Sequence, residues 1–282
     1  MKKLVVLGGT GYIGKNVVNT FSNNGCKVYS LGSKHIDLND LLHSPTKLAR
    51  LLKGADSLII CSAITRTTAN DSNSCFTNIN QLNTIMQACE LELPKHIVYC
   101  SAADVYGHGG SLITEDAPIS PMNEYGAFKA FSEKMLQLNF SERCTVSILR
   151  FSGVFGGDSD QTSLINRLTQ SIQMGKEITL SNNGLSKRDY LPVSLLCDAI
   201  VEIINLKYAG IFNVSTGQEK NIVDTVKFIE QLIGKKANLI LTDNFSERDF
   251  NLSLSNTKLH LMLPQLSIPS LNSALKVAVK RS

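Results

Sequence analysis

Tyr125 and Lys129 stand four residues apart, a spacing that places both on one face of a helix. A phenol with an unperturbed pKa of about 10 is a poor proton carrier near neutrality, and a neighbouring ammonium favours the phenolate. The pair can therefore move a proton to or from a reacting oxygen, with Lys129 tuning Tyr125. The same ammonium can hold ribose hydroxyls, so that hydride and proton reach one carbonyl in one geometry. A seat for the hydride carrier lies upstream, where Gly8-Gly9-Thr10-Gly11-Tyr12-Ile13-Gly14 follows the apolar run Leu4–Leu7. Glycines at such a turn let the backbone fold tightly, let a pyrophosphate reach amides at a helix N-terminus and let helix pack closely on strand. Alone, this pattern also occurs at ordinary strand–turn–helix corners. Here an amphipathic stretch (Ile13, Val17, Val18, Phe21) and a second strand at Lys27–Leu31 follow it and complete a βαβ unit.

The elements that must position these groups alternate in a regular rhythm. Apolar runs at Leu4–Leu7, Lys27–Leu31, Ser57–Cys61, His96–Cys100 and Thr145–Leu149 are separated by stretches of helical period. That rhythm predicts a Rossmann-like, doubly wound α/β fold, a parallel sheet covered on both faces. After about residue 155 the elements shorten, which predicts a dinucleotide domain over 1–155, with a sheet segment returning from later residues. A smaller substrate lobe over 156–282 is expected to close over the carboxyl ends of the strands.

The 282 residues are 43% hydrophobic, enough for a sizeable core. No apolar run of about 18 residues and no charged-then-apolar leader is present, so a cytoplasmic chain without membrane partners is expected. Seven scattered cysteines without a C-x-x-C pair argue against disulfides and a metal site, and most are expected to be buried small hydrophobes. A net charge of +4, spread along the chain, gives no footprint for nucleic acid.

In its motifs the chain resembles the extended short-chain dehydrogenase/reductase family, in its nucleotide-sugar epimerase/dehydratase/reductase branch. The resemblance covers nearly the whole chain. It rests on Gly8-x-x-Gly11-x-x-Gly14, Gly54-Ala55-Asp56 before the strand ending near Ala63, Asn78, and Ser101-Ala102-Ala103-Asp104-Val105-Tyr106-Gly107. It continues through Tyr125-x-x-x-Lys129, Arg150-Phe151 before Val154-Phe155-Gly156, Lys187-Arg188-Asp189-Tyr190 with Val193, and Phe212-Asn213-Val214 leading to Gly217. The resemblance implies that Gly8, Thr10, Gly11, Tyr12, Ile13, Gly14 and Ala63 line a dinucleotide, that Asp37 and Leu38 lie at its adenine, and that Lys129 holds its ribose. It also implies a homodimer formed through the helix after the third strand and the Tyr/Lys helix.

Two departures shape the expected chemistry. The family's hydroxyl residue, which bonds the reacting oxygen, falls at Ala102. Ser101 can replace it only if the strand twists or bulges, and one lost donor at an oxyanion-type site is commonly a 10²–10³-fold effect, about 3–4 kcal/mol. The Asp-Glu pair that serves elimination in the family's dehydratases is Ala103-Asp104 here, which disfavours that chemistry and leaves Asp104 to bind a sugar hydroxyl or cap a turn. Cofactor choice is read after the second strand, where Leu31-Gly32-Ser33-Lys34 lacks the acid that binds an adenosine ribose diol. Ser33 and Lys34 can hold a 2′-phosphate there, so NADPH is expected over NAD. Arg188 matches a family position near the nucleotide diphosphate and Arg248 one that grips phosphate or ribose, although either can instead form a structural ion pair. The resulting expectation is an NADPH-dependent reductase of a nucleotide-diphospho-4-keto-6-deoxy sugar, of the kind used in surface-polysaccharide sugar biosynthesis. Its alternatives are an NAD-dependent 4-epimerase and a catalytically weak NADPH-binding relative.

Overall fold

The computed structural model describes residues 1–281 apart from 108, 158, 159, 161, 247 and 248. Along the chain come β1 (Lys3–Leu7), α1 (Tyr12–Asn23), β2 (Lys27–Leu31), α2 (Ser44–Leu52), β3 (Ser57–Ile60), α3 (Ser72–Leu91), β4 (His96–Cys100), β5 (Gly110–Ile113), α4 (Glu124–Phe140) and β6 (Thr145–Arg150). There follow β7 (Val154–Phe155), α5 (Leu164–Met174), β8 (Glu177–Leu180), β9 (Lys187–Asp189), β10 (Leu191–Pro192), α6 (Val193–Leu206) and β11 (Gly210–Asn213). The chain ends with β12 (Glu219–Asn221), α7 (Ile222–Ile233), β13 (Asn238–Leu241), β14 (Leu252–Leu254), α8 (Thr257–Met262) and α9 (Leu271–Arg281).

These elements form two compact units. The first comprises Met1–Gly107, Pro118–Arg150 and Cys197–Phe212, and the second His108–Ala117, Phe151–Leu196 and Asn213–Ser282. In the first, a six-stranded sheet runs β11-β6-β4-β3-β1-β2, with β1 paired in parallel to both β2 and β3. After β2 the chain crosses to the far side of β1, so the β1/β3 junction is the switch point of a doubly wound sheet, where ligands of such sheets bind beyond the strand ends. Val5, Leu7, Leu58, Ile60, Ile97 and Tyr99 join the core made with α2, α3 and α4. Leu4, Val6, Ile59 and Val98 project from the other face and are equally buried, as a sheet covered on both faces requires. The second unit holds a four-stranded sheet, β12-β9-β14-β5, and a core of Phe155, Ile165, Ile172, Tyr190, Val226, Ile229 and Leu275.

At the opposite end of β4 from the motifs sits a buried titratable group. His96 Nε2 lies 2.6 Å from Ser147 Oγ, and that hydroxyl donates to the Tyr208 carbonyl at 2.5 Å, which makes Nε2 the protonated nitrogen. Nδ1 is buried without a partner, and burial, aided by Lys2, lowers the imidazole to about 4 from 6.5. The unfolded chain thus takes up a proton that the folded one refuses, and stability falls as pH drops from about 6.5 to about 4, by about 3 kcal/mol. Asp189, whose carboxyl burial raises to about 6, acts in the opposite sense over part of that range. His96→Gln is therefore compared with the wild type in urea melts across this range. The difference between the two proteins shrinks by that amount as pH falls, and parallel curves would rule out His96 as the source.

Candidate active site

The glycine turn leaves β1 and enters α1. A Cβ on Gly14 would lie 2.1 Å from the Gly8 carbonyl oxygen, and one on Gly8 would lie 2.7 Å from the Ser62 amide nitrogen. Helix and strand ends are therefore as close as backbone alone permits. Gly11, the N-cap, contributes no side-chain hydrogen bond and the first turn carries no acidic residue, which suits an incoming pyrophosphate. Beside the turn, after β3, the Ser62 hydroxyl is buried without a partner among the described residues. This cradle fits a dinucleotide. Gly14→Ala forces the helix away from the strand, so dinucleotide affinity drops about tenfold or more and stability drops by about 1–3 kcal/mol. Calorimetric titration and thermal unfolding measure the two losses.

Of the other residues expected around the dinucleotide, Thr10 is exposed, and Tyr12, Ile13 and Ala63 are half-buried. Ser33 and Lys34 are exposed in the turn after β2, where the Gly32 amide donates to His35 Nδ1 at 3.1 Å. Asp37 is exposed and its Oδ1 accepts the Asn39 amide at 2.9 Å. Leu38 packs into the core, and its carbonyl accepts the Thr84 hydroxyl at 2.7 Å.

Tyr125 and Lys129 lie in the first turns of α4. Asn123 caps this helix by accepting the Gly126 amide at 2.8 Å, and Gly126 lets it press against the turn at Ala103–Tyr106, since a Cβ there would lie 2.6 Å from the Asp104 carbonyl. Lys129 is 2% exposed, its Nζ donates to the Cys100 carbonyl at 2.6 Å, and it stands 5.5 Å from the Tyr125 ring centre. The expected downward tuning of Tyr125 does not occur. Burial, followed by the carboxylate of Asp104, pushes its phenol well above the ordinary value, while burial lowers Lys129 to about 8. Desolvation disfavours the charged form of both groups and outweighs the pull of Arg66 on the phenol and of the neighbouring thiols and carboxylates on the ammonium. Tyr125 therefore rests as a neutral phenol beside a lysine that is still mostly cationic at pH 7.

Ser101 does not supply the hydroxyl missing at Ala102. Its side chain donates to Glu133 Oε1, so its proton is committed and only lone pairs remain, the wrong polarity for a developing oxyanion. Glu133 also grips Arg150, whose Nη2 donates to Oε2 at 2.6 Å and whose Nε donates to Oε1 at 3.1 Å. Arg150 Nη1 in turn donates to the Tyr106 hydroxyl at 2.9 Å. Asp104 pairs with Arg66 Nη1 at 2.8 Å, and the Asn123 side-chain amide donates to it at 3.4 Å. In both contacts it is the hydrogen-bond acceptor.

Sequence reasoning missed Glu133 and Arg66. Glu133 continues the four-residue step from Tyr125 through Lys129 and was findable on that ground. Arg66 lies in the segment after β3 that Asn78 pins through both the amide and the carbonyl of Ile64, and nothing in its neighbours' spacing marks it. In the second unit, Arg188 Nη1 donates to the carbonyls of Phe250 and, at 2.9 Å, Lys187, with its guanidinium over the Phe250 ring. Asp189 accepts the Thr216 hydroxyl at 2.8 Å and the Gly217 amide at 3.0 Å, a buried carboxylate held by turn donors. Arg248 lies outside the described residues.

A Tyr/Lys helix packed beside the switch point of a glycine-turned parallel sheet is the arrangement of a dinucleotide-dependent enzyme of the short-chain dehydrogenase/reductase type. Comparison with known proteins narrows the class. The model of the NAD dependent epimerase/dehydratase family matches residues 4–215, and the chain belongs to that family. It is 25% identical over 284 residues to a UDP-glucose 4-epimerase of Azospirillum brasilense, covering 86% of this chain and 80% of that one. It is 26% identical over 281 residues to the UDP-glucose 4-epimerase of Bacillus subtilis, covering 83% of each. The fold superposes on a Thermus thermophilus UDP-glucose 4-epimerase solved with NAD, with a TM-score of 0.87 at 19% identity over 99% of this chain and 98% of that one. Among the described residues no helix is long and apolar enough to cross a membrane.

Proposed function

We propose that the protein is an NAD-dependent nucleotide-sugar 4-epimerase. The observation that carries this reading is its similarity to UDP-glucose 4-epimerases over more than four-fifths of the chain. Ala103-Asp104, in place of an acid pair, supports epimerisation over elimination. A dinucleotide held against Gly8, Gly11 and Gly14 would supply reversible hydride transfer at the sugar carbon. Tyr125 removes the proton from the 4-hydroxyl and gives it back, and Lys129 holds the ribose hydroxyls that fix the reacting ring beside the phenol. Arg188 and Arg248 are the proposed ligands of the substrate diphosphate. The cofactor is taken to lie in the first unit, against Gly8, Gly11 and Gly14. Exposed Phe76 on α3 and Phe131 and Leu138 on α4 support a homodimer through these helices. The test is to denature the purified protein, identify the released dinucleotide, and follow interconversion of UDP-glucose and UDP-galactose without added cofactor. Stoichiometric NAD and interconversion support the epimerase.

One observation favours a second reading. No carboxylate stands among Gly32–Lys34, and Ser33 and Lys34 are exposed there, the pattern expected for NADPH. Rapid NADPH oxidation with a 4-keto-6-deoxy sugar nucleotide, and no interconversion, would establish the 4-ketoreductase instead.

A further inference from the structure

The carboxyl ends of β3 and β4 hold two thiols that the proposed chemistry does not use. Cys61 Sγ and Cys100 Sγ lie 3.5 Å apart, in contact. Ile60 pairs with Tyr99 in the parallel ladder, so the two cysteines are the next matched pair along the neighbouring strands. Adjacent strands stand about 4.8 Å apart, inside the range of about 4.4–6.8 Å that a disulfide spans between Cα atoms. Cys61 is half-buried as a residue, while Cys100 is buried.

Both thiols are built into the working parts of the site. The Cys100 carbonyl accepts the bond that fixes Lys129 Nζ, and the backbone of Cys61 and Ser62 lies directly beneath Gly8, within 2.7–2.9 Å of where a Cβ would stand. The contact with Cys61, with Lys129 close by, holds the Cys100 thiol below its ordinary value, which makes it the more nucleophilic of the pair. The same contact, with burial, pushes Cys61 up.

We propose that Cys61 and Cys100 are a redox modification site, closing to a reversible disulfide on exposure to hydrogen peroxide and thereby disabling the dinucleotide seat. The Cys100 thiolate attacks the peroxide, an O–O bond breaks, and the departing hydroxide takes a proton and leaves as water. The resulting sulfenic acid is attacked by Cys61, which loses its proton as the S–S bond forms and the S–O bond breaks, releasing a second water. Two thiols lose two electrons and one peroxide becomes two waters. Forming the bond draws the sulfurs from 3.5 Å to about 2.05 Å and moves the floor under Gly8 and the carbonyl that holds Lys129. Transient disulfides of this kind are the sort found in reducing compartments.

The functional consequence rests on the dinucleotide reading of this cleft, but the chemistry of the site does not. Trypsin isolates each thiol, because residues 54–66 contain Cys61 alone and residues 96–129 contain Cys100 alone. Full-length protein is treated with graded hydrogen peroxide and mapped by mass spectrometry without reduction, alongside fluorescence titration with NADH and NADPH. The expected result is a crosslink between these two peptides, reversed by dithiothreitol, together with about tenfold or weaker dinucleotide binding that reduction restores. Cys61→Ala and Cys100→Ala each abolish the difference between treated and untreated protein. Crosslinks joining other cysteines, or Cys100 converted to sulfinic acid while Cys61 stays a thiol, overturn the site. A complete crosslink with unchanged dinucleotide affinity overturns its consequence. Reduced protein that binds neither dinucleotide defeats the dinucleotide reading and this consequence, and the peptide map still decides the disulfide.

Discussion

Tyr125→Phe lowers turnover by about 10²–10⁴-fold while leaving the fold and the dinucleotide affinity as they are. The substitution removes one hydroxyl and keeps the ring that sits 5.5 Å from Lys129 Nζ, so packing in the first turns of α4 is preserved. What disappears is the group proposed to carry the proton of the sugar hydroxyl. Because burial and Asp104 hold that phenol up, taking the proton is the harder half of its task, and the rate of the unmodified enzyme climbs with pH. The climb levels off near 8, where Lys129 has lost about half of its own charge. In the variant this dependence is absent. The measurement is kcat and KM against pH for both proteins, with dinucleotide content checked in each. A variant within threefold of wild-type turnover would remove Tyr125 from the chemistry.

Glu133→Ala is the largest stability change expected. It leaves the Arg150 guanidinium, 3% exposed, without its carboxylate and the Ser101 hydroxyl without its acceptor. Burial works against the charge on Arg150, and Glu133 together with Tyr106 outweighs it, keeping the guanidinium above its ordinary value. Removing one partner of such a pair costs about 3–5 kcal/mol, because an uncompensated charge stays behind. Urea unfolding reads the loss. Replacing both members, Glu133→Leu with Arg150→Met, recovers most of it, since no buried charge is then stranded. A single variant that loses less than about 1 kcal/mol would show that water reaches the pair and solvates it.

Much of this molecule was legible in the residues. Strand periodicity located β1, β3, β4 and β6 to within a residue, because each is a short, largely apolar run buried on both faces, while β2, a partly exposed border strand, was placed by the βαβ unit it completes. The spacing of Tyr125 and Lys129 gave their shared helix face. Their electrostatics stayed hidden, because the sign of a pKa shift depends on how deep a group lies, and depth is a tertiary property. Ser101 shows the same limit from another side. Strand alternation warned that it faces away from Ala102, but its partner, Glu133, stands 32 positions further along the chain. The Arg66–Asp104 pair was illegible for the same reason, as was the contact of two cysteines 39 residues apart.

The order of strands also governs how the molecule can be made. Strand β11, which pairs with β6 at one border of the main sheet, is contributed by Gly210–Asn213, long after β6 ends at Arg150. A ribosome must therefore synthesise some sixty further residues before that border is sealed. Until then β6, with Val146, Ile148 and Leu149, offers an unpaired apolar rim to any neighbouring strand. Fragments that stop near residue 155 keep the glycine turn and the Tyr/Lys helix but carry that rim permanently, and they aggregate. Extending the fragment through Asn213 is the shortest remedy that returns the missing border strand.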